Sequence, residues 1–529
     1  MESPNDLRLG KRAGPVASIS GGSGARPAFH HGMKLLLNAM STASTAGHGH
    51  ALLTDLYQLT MANGYWRAGV GDREAVFHLY FRNHPFQGGY TVSCGQGPVL
   101  DYLRGLAFSD DDLAYLGTLT GADGAALFAP DFLEYLGGLE LALDVDAMPE
   151  GTVAFPNEPI LRVRGPLLQC QLVETALLNT INFQSLIATK AARICYVAGA
   201  EPVLEFGLRR AQGIDGALAA SRAAYVGGCA GTSNVLAGKL FGIPVKGTHA
   251  HSWVMSFESE QEAFEAYAET MPNNCVFLVD TYDTLQGVQR ALAVGQQLRE
   301  RGHELLGIRL DSGDLAWLSI EARRLLDEAG FEQTQIIASN DLDEHLIRSL
   351  HEQGAKIGVW GVGTKLVTAF DQPALGGVYK LAALRDGHGR YRHTLKVSEQ
   401  ARKTSNPGVL QVLRFVDNGV YVGDALVDEL QPPVLGQPLT IVDPNDPQRQ
   451  KTFESGVQRR ELLVPRLRAG QEVGPREALA ESRARVQEEL AAFHSGVKRF
   501  EHPHDYPVGL EESLHRHKMQ LVRDARGLG

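Results

Sequence analysis

The chain of 529 residues has few cysteines, and it contains no long apolar run. An odd number of cysteines with no C-x-x-C pair does not suit a disulfide framework. We therefore expect the thiols to be reduced and mostly buried, as in a cytoplasmic protein. The five cysteines are Cys94, Cys170, Cys195, Cys229 and Cys275. No stretch approaches the roughly 20 apolar residues of a membrane span, so we expect no membrane association.

Basic charge is also in short supply. Acidic residues outnumber basic ones by 61 to 50, giving a formal net charge of −11. A nucleic-acid-binding domain needs a surplus of Lys and Arg on one face, so we expect no nucleic-acid partner and a small substrate. Glycine is abundant, with 58 residues in the chain. This abundance indicates many tight turns and close backbone approaches.

The pattern along the chain predicts several regions. Residues 1–48 are rich in Gly, Ser, Ala and His without apolar periodicity, which predicts a disordered N-terminal extension. We predict an N-terminal α+β domain over 49–190 and an α/β-barrel domain over 191–380. Residues 381–529 are predicted to add strands that complete the N-terminal domain, followed by a helical C-terminal region.

Two helices are predicted in the N-terminal domain from apolar spacing. The first covers Leu52 to Trp66, with Thr54 and Asp55 as capping residue types near its start. The second is a long apolar helix from Leu167 to Ala188.

Between residues 202 and 367 an apolar, strand-like run recurs, and polar residues that open a helix follow each time. The runs are Ile243 to Lys246, Val276 to Val279, Leu305 to Leu310, Gln335 to Ala338 and Ile357 to Val362. This order predicts an irregular parallel α/β barrel. The carboxyl ends of barrel strands meet at one mouth, so the residues after each run should form one site.

Carboxylates are concentrated at these strand ends. The positions are Asp280, Asp283, Asp311, Asp314 and Asp341. Any single Asp there is readily explained as a helix N-cap, but five exceed what capping requires, and the density suits Mg²⁺ or sugar hydroxyls. Arg309 lies two residues before Asp311, so both should share one face of a strand.

Two further features suit phosphate. Gly361-Val362-Gly363-Thr364 is a glycine pair late in the barrel, where backbone N–H groups commonly cradle a phosphate, and Lys365 would add charge. Arg209 and Arg210 precede a glycine-containing loop. They are interpreted either as solvated surface charges or as a phosphate or pyrophosphate clamp.

His249 and His251 leave two interpretations open. Alternate residues of a strand share a face, so the H-x-H pair permits a metal site and a metal-dependent barrel hydrolase. The later strand ends offer no further His or Lys ligands. The other interpretation of His251 is a core histidine satisfied by a neighbouring carbonyl or hydroxyl.

Seven segments taken together resemble the nicotinate phosphoribosyltransferases, from about residue 51 to about residue 515. They are Leu53 to Gln58, Phe206 to Gly213, Gly231 to Gly238, Gly247 to Trp253, Val279 to Tyr282, Arg309 to Asp314 and Gly361 to Thr364. The resemblance implies the type II phosphoribosyltransferase fold and a homodimer with shared active sites.

The resemblance also implies a reaction. Nicotinate and phosphoribosyl diphosphate would give nicotinate mononucleotide and diphosphate, coupled to hydrolysis of ATP with Mg²⁺, as the first step of NAD salvage. His251 would be transiently phosphorylated, with Asp280 or Asp283 holding its other ring nitrogen. A non-catalytic binding homologue is the remaining alternative, disfavoured because the set of site residues is intact.

Residue roles follow from the matching motifs. Those resembling nicotinate contacts are Tyr57, Thr248, Arg309 and Ser233. Those resembling phosphoribosyl diphosphate contacts are Arg209, Arg210, Asp311, Asn340, Gly363 and Thr364, with Mg²⁺ near Asp311 and Asp280. Nicotinamide-using relatives carry an Asp where this chain has Ser233. Because a carboxylate there would repel the substrate's own carboxylate, Ser233 favours the acid.

Overall fold

The computed structural model describes residues 50–400 and 403–527. The predicted extension over 1–48 lies outside the described residues. The α-helices are α1 (Leu56–Arg67), α2 (Gln96–Arg104), α3 (Asp110–Gly117), α4 (Pro130–Gly137), α5 (Leu167–Leu172), α6 (Glu174–Ala198), α7 (Gly213–Val226), α8 (Val235–Phe241), α9 (His251–Val254), α10 (Glu260–Thr270), α11 (Thr284–Glu300), α12 (Leu315–Glu328), α13 (Glu344–Glu352), α14 (Thr364–Val367), α15 (Leu479–Ala492) and α16 (Glu512–Ala525).

The strands form three larger sheets and one pair. They are β1 (Glu74–Phe81), β2 (Thr91–Val92), β3 (Asp144–Ala147), β4 (Val153–Ala154), β5 (Leu161–Pro166), β6 (Val203–Glu205), β7 (Gly231–Thr232), β8 (Val276–Leu278), β9 (Gly307–Leu310), β10 (Gln335–Ala338), β11 (Val359–Val362), β12 (Gly377–Arg385), β13 (Tyr391–His393), β14 (Leu410–Asp417), β15 (Val420–Asp428), β16 (Leu439–Val442), β17 (Gln450–Phe453), β18 (Gln458–Glu461), β19 (Val464–Arg468), β20 (Gln471–Glu472) and β21 (Val508–Glu511).

The predicted parallel α/β barrel is confirmed. Its strands lie in the order β7-β6-β11-β10-β9-β8, and every neighbouring pair is parallel. Residues 243–249 run between β7 and β8: Val245 forms a single parallel bridge with Thr232, and His249 Nε2 accepts from the Leu278 amide at 3.3 Å. The predicted strand over Ile243 to Lys246 is therefore wrong. Its second residue is Pro244, which cannot donate to a ladder.

The N-terminal strands form an antiparallel sheet in the order β13-β12-β1-β5-β3-β19-β20. β12 pairs with β1 along its length, and β19 pairs with β3. Strands from after the barrel thus lie in one sheet with strands from before it, which gives the α+β part of the fold. The domain boundaries given above stay a prediction.

The C-terminal sheet, in the order β17-β16-β21-β15-β14-β18, is held by a fully buried arginine. Arg414 pairs with Asp424 on β15 at 2.6 Å and with Glu489 on α15 at 2.7 Å. It also donates to the carbonyl of Val153 on β4 at 2.7 Å. A buried guanidinium needs this degree of pairing because desolvation of an unpaired charge is costly.

Other local predictions are partly correct. α1 begins at Leu56 with Asp55 at the N-cap, but the Asp55 carboxylate accepts from Thr175 at 2.9 Å instead of capping the helix. The predicted helix from Leu167 to Ala188 is two helices, α5 and α6, and α6 continues to Ala198. All five cysteines are free, and four are buried.

No helix in the described ranges is long and apolar enough to cross a membrane.

Gly287 on α11 sets how closely this helix approaches the end of β8. A Cβ at Gly287 would lie 2.1 Å from the Val279 carbonyl oxygen, one residue before Asp280. We expect Gly287→Ala to lower the free energy of unfolding by about 2 kcal/mol because close-packed interiors accommodate extra atoms poorly. Gly64→Ala on α1, where a Cβ meets nothing within 4 Å, should stabilise by about 0.5–1 kcal/mol. Equal denaturant midpoints for the two variants would contradict this.

Candidate active site

The guanidinium of Arg309 on β9 organises the mouth of the barrel. Its Nε donates to Ser339 Oγ at 3.0 Å and its Nη1 to Thr248 Oγ1 at 2.9 Å and to the His249 carbonyl at 3.4 Å. Its Nη2 donates to Asp311 at 3.2 Å. A guanidinium has five N–H groups, so these four contacts leave one N–H for a ligand.

Asp280 holds the residues that follow β9 in place. Its Oδ2 accepts from the Asp311 backbone N–H at 2.8 Å and from Ser312 Oγ at 2.7 Å. Its Oδ1 is buried without a hydrogen-bond partner among the described residues. Such an unpartnered oxygen is costly to bury, and it is available to a cation.

His251 is the first residue of α9 and lies beside Asp311. Its Nδ1 is 3.2 Å from Thr281 Oγ1, and its Nε2 is 3.9 Å from Asp311 Oδ2. The side chain is 38% exposed. The expectation that Asp280 or Asp283 holds the His251 ring is wrong in this structure, because the hydroxyl of Thr281 occupies that position.

His249 is a core histidine. Its Nε2 accepts from the Leu278 amide, its Nδ1 faces the Ala250 carbonyl at 3.4 Å, and its ring packs edge-on against Tyr267 at 4.9 Å. Burial lowers the pKa of His249 to about 4. Both ring nitrogens are engaged, so the H-x-H metal site is wrong. No group of three or more His, Cys, Asp or Glu side chains suited to a metal was found in the described part of the chain.

Capping explains some of the strand-end carboxylates. Asp283 caps α11 by accepting from Gln286 N, and Asp314 caps α12 by accepting from Trp317 N. The cap of α13 is Asp343, so Asp341 has no capping role. Asp280, Asp311 and Asp341 remain without a capping role, and of these Asp280 and Asp311 belong to the group around Arg309 and His251.

The phosphate-binding candidates lie around β11 and the loop after β6. Gly207 is pressed against α14, since a Cβ there would lie 2.3 Å from Val367 Cγ1. The adjacent Arg209 and Arg210 are exposed on a short 3₁₀ turn and form no ion pair within the described ranges. Gly363 is the N-cap of α14, and Thr364 is its first residue. The structure therefore brings the glycine pair close to the loop that carries both arginines.

Ser233 and Asn340 complete the predicted set. Ser233 follows β7, and its backbone N–H donates to the Glu205 carbonyl at 2.9 Å. Asn340 is exposed after β10 with a positive φ of 92°, a conformation that non-glycine residues adopt rarely.

Tyr57 is not brought to this mouth. It is 47% exposed on α1, where burial and the nearby carboxylate of Glu174 raise its pKa. Glu174 begins α6, a helix of 25 residues and thus about 37 Å long at 1.5 Å per residue. Residues near the other end of α6 reach the barrel: Lys190 and Arg193 both contact Glu344 on α13.

Sequence reasoning assigned no role to three supporting residues. Thr281 contacts His251, Ser339 contacts Arg309, and Glu260 is buried near Asp280, with its Oε2 on Arg290 at 2.6 Å. Burial raises the pKa of Glu260, Arg290 opposes this, and Asp280 raises it further. Ser339 directly follows β10 and Thr281 lies three residues after the end of β8, so their position near strand ends was a usable signal, whereas nothing in the sequence pairs Glu260 with Arg290.

Comparison with solved structures defines the class first. The chain is similar to the crystal structure of human Nicotinic Acid Phosphoribosyltransferase, with a TM-score of 0.78 and 35% identity over 88% of this chain and 99% of that one. It also shares its fold with nicotinate-nucleotide pyrophosphorylase from Pyrococcus furiosus, with a TM-score of 0.62 and 22% identity over 84% of this chain and 96% of that one. The fold is therefore a phosphoribosyltransferase barrel joined to an α+β region.

Comparison of sequences then gives the family. The family models match as N-terminal domain over residues 52–182, family over 202–389 and C-terminal domain over 410–518. Nicotinate phosphoribosyltransferase of Bacillus subtilis is 44% identical over 90% of this chain and 96% of that protein. The human enzyme is 37% identical over 88% of this chain and 95% of its own length. The chain belongs to the nicotinate phosphoribosyltransferase family.

A pH dependence of stability follows from neutral, buried His249. Its pKa is about 4 when folded against 6.5 when unfolded, so the unfolded chain binds more protons between these values and stability falls as pH is lowered. At about 1.4 kcal/mol per pKa unit, this residue should cost about 2 kcal/mol on going from pH 7 to pH 5.

The free energy of unfolding, measured in urea at pH 7 and at pH 5, should fall less in His249→Gln than in the wild-type chain, by about 2 kcal/mol. The exposed control His388→Gln should behave as the wild-type chain does. An unchanged drop in His249→Gln would mean that His249 titrates normally.

Proposed function

We propose that this chain transfers the phosphoribosyl group of phosphoribosyl diphosphate to nicotinate, with ATP hydrolysis coupled through His251, as the first step of NAD salvage from nicotinate. The observation that carries the proposal is the position of His251. A half-exposed imidazole at the barrel mouth, within 3.9 Å of Asp311, is accessible to a nucleotide and adjacent to the Arg309 wall. The five free cysteines suit a reducing cytoplasm.

The imidazole must attack as the neutral form. With Nδ1–H donating to Thr281 Oγ1, the lone pair lies on Nε2. A bond from Nε2 to the γ-phosphorus of ATP forms as the bond from that phosphorus to the ADP oxygen breaks, and ADP leaves with the electron pair. Water later cleaves the phosphohistidine and releases phosphate. Asp311 faces the positive charge that develops on the ring.

Nicotinate would bind against Arg309. The remaining N–H of Arg309 would face the substrate carboxylate, and Thr248 lies beside the guanidinium. Ser233 would place no negative charge near that carboxylate. The Arg309 guanidinium is held by protein contacts before substrate arrives, so little side-chain entropy is lost on binding. Within one chain Tyr57 is absent from this pocket.

Phosphoribosyl diphosphate would span the opposite side of the mouth. Gly363 and Thr364 suit the 5′-phosphate because backbone N–H groups at such a turn accept an anion. Arg209 and Arg210 suit the diphosphate, where charge builds up as it leaves. Asp311 and Asn340 would meet the ribose.

Mg²⁺ is implied with the diphosphate. In phosphate chemistry it binds through one or two carboxylates plus substrate oxygens, which fits the unpartnered Asp280 Oδ1 and the carboxylate of Asp311. These two residues would hold the ion, which would neutralise charge on the departing diphosphate.

A homodimer would supply Tyr57 from the partner. The exposed apolar side chains of α1 and the residues just before it are Leu53, Leu56, Tyr57 and Met61, each at least 37% exposed. A second exposed apolar group flanks the barrel mouth, with Ile214, Val235, Leu236, Leu240 and Phe370 at 45–74%. Exposed apolar patches of this kind mark interfaces, and packing α1 of one subunit on the partner's mouth covers both.

His251→Ala should lose the ATP-dependent gain in nicotinate mononucleotide formation and incorporate no acid-labile phosphate from γ-labelled ATP. Wild type should use nicotinate, with nicotinamide and quinolinate as control substrates. His303→Ala should retain both properties. Labelled phosphate on the His251→Ala protein would rule out His251 as the acceptor.

Shared sites can be tested with mixed dimers of Tyr57→Ala and His251→Ala chains. If Tyr57 acts across the interface, one of the two sites in each mixed dimer is intact and one carries both defects. Two weakly active parents should then give mixed dimers with up to about half of wild-type activity. Mixed dimers no more active than their parents would mean that each site uses its own Tyr57.

A further inference from the structure

Lys365 is the second residue of α14 and directly follows Gly363-Thr364. Its Nζ donates to Asp343 Oδ2 at 2.6 Å, and its side chain is 27% exposed. Burial lowers the pKa of Lys365, but the hydrogen bond to Asp343 and the carboxylates of Asp371 and Asp341 outweigh this and raise it. The ammonium is therefore a fixed positive charge among three carboxylates.

Behind this lysine lies a second, fully buried one. Lys190 on α6 has no exposed side-chain surface, and it pairs with Glu344 at 2.8 Å and with Asp371 at 3.0 Å. Arg193, one turn along α6, holds the other Glu344 oxygen at 2.8 Å. Asp371 acts on both lysines, so the two form one connected group, here called the ion cluster: Lys190, Arg193, Asp343, Glu344, Lys365 and Asp371.

The ion cluster is electrically balanced, with three cations and three carboxylates. Asp341 nearby adds one more negative charge. With Asp341 counted, the group carries a net charge of −1, and loss of the Lys365 charge would take it to −2, which would increase the repulsion of an incoming phosphate dianion.

The cluster also fixes the loops in space. Lys190 and Arg193 come from α6, Asp343 and Glu344 from the start of α13, and Lys365 and Asp371 from α14 and the segment after it. Removing one partner of a buried ion pair leaves an uncompensated charge, which is strongly destabilising. Because the pairs of the ion cluster must stay intact, these three segments are held in one arrangement.

We propose that Lys365 is a positioning residue for the 5′-phosphate of the substrate and that the buried ion cluster holds its ammonium in place. This inference rests on the proposed function and names a cation for that phosphate site beyond the glycine pair.

Calorimetric binding of ribose 5-phosphate and of inorganic diphosphate separates the two ends of the substrate. We expect Lys365→Met to weaken ribose 5-phosphate binding about tenfold while diphosphate binding stays unchanged. Lys365→Arg keeps the charge and should bind within about twofold of wild type. Lys356→Met, an exposed lysine at the opposite end of β11, is the matched control and should change neither affinity.

Two further readouts distinguish charge from structure. In steady state, Lys365→Met should raise KM for phosphoribosyl diphosphate and leave kcat unaltered. Its binding defect should shrink at about 1 M salt, where the screening length is only about 3 Å.

The possible failures differ in kind. A Lys365→Met protein that binds ribose 5-phosphate as wild type does, or that loses both ligands equally, overturns the role of Lys365 and leaves the proposed function standing. A wild-type protein that binds neither ligand overturns the proposed function and this inference with it.

Discussion

The rest of the site depends on the hydrogen bonds of Arg309. A planar guanidinium fixes its donors in one geometry, and here they reach Thr248 and His249 on the irregular segment, Asp311 after β9 and Ser339 after β10. These contacts add to the single parallel bridge between Val245 and Thr232 that links residues 243–249 to β7. Arg309 thus connects residues 248–249 with the ends of β9 and β10, and it also faces the mouth of the barrel.

The same set of contacts positions the histidine. Asp311 is held by Arg309 from one side and by Asp280 through its backbone N–H from the other, and His251 lies against it. The two histidines of one short segment diverge because the backbone between them leaves the barrel wall and begins α9. His249 packs in the aromatic core, and His251 faces outward. Two histidines only two residues apart thus have different roles, one in packing and one in the proposed chemistry.

Buried ion pairs hold the larger parts together. Arg414 joins the C-terminal sheet to β4 and α15. Arg222 on α7 holds Glu150 through two contacts of 2.6 and 2.8 Å, and the ion cluster joins α6 to the phosphate loops. Removing one partner of such a pair costs about 3–5 kcal/mol. Each pair connects segments far apart in sequence, so each specifies one arrangement of layers.

Sequence alone determined the barrel, because apolar runs followed by polar residues repeat at a spacing that only strand-helix units satisfy. It also determined which residues follow β8, β9, β10 and β11, but not that residues 243–246 form no strand. It could not determine that Asp283 and Asp314 cap helices while Asp280 and Asp311 face the site, since all four share one local pattern. Tertiary structure decided that Thr281 holds His251, that His249 is buried and that Tyr57 lies far from its own mouth. Those outcomes depend on contacts between distant segments, and local periodicity carries no information about them.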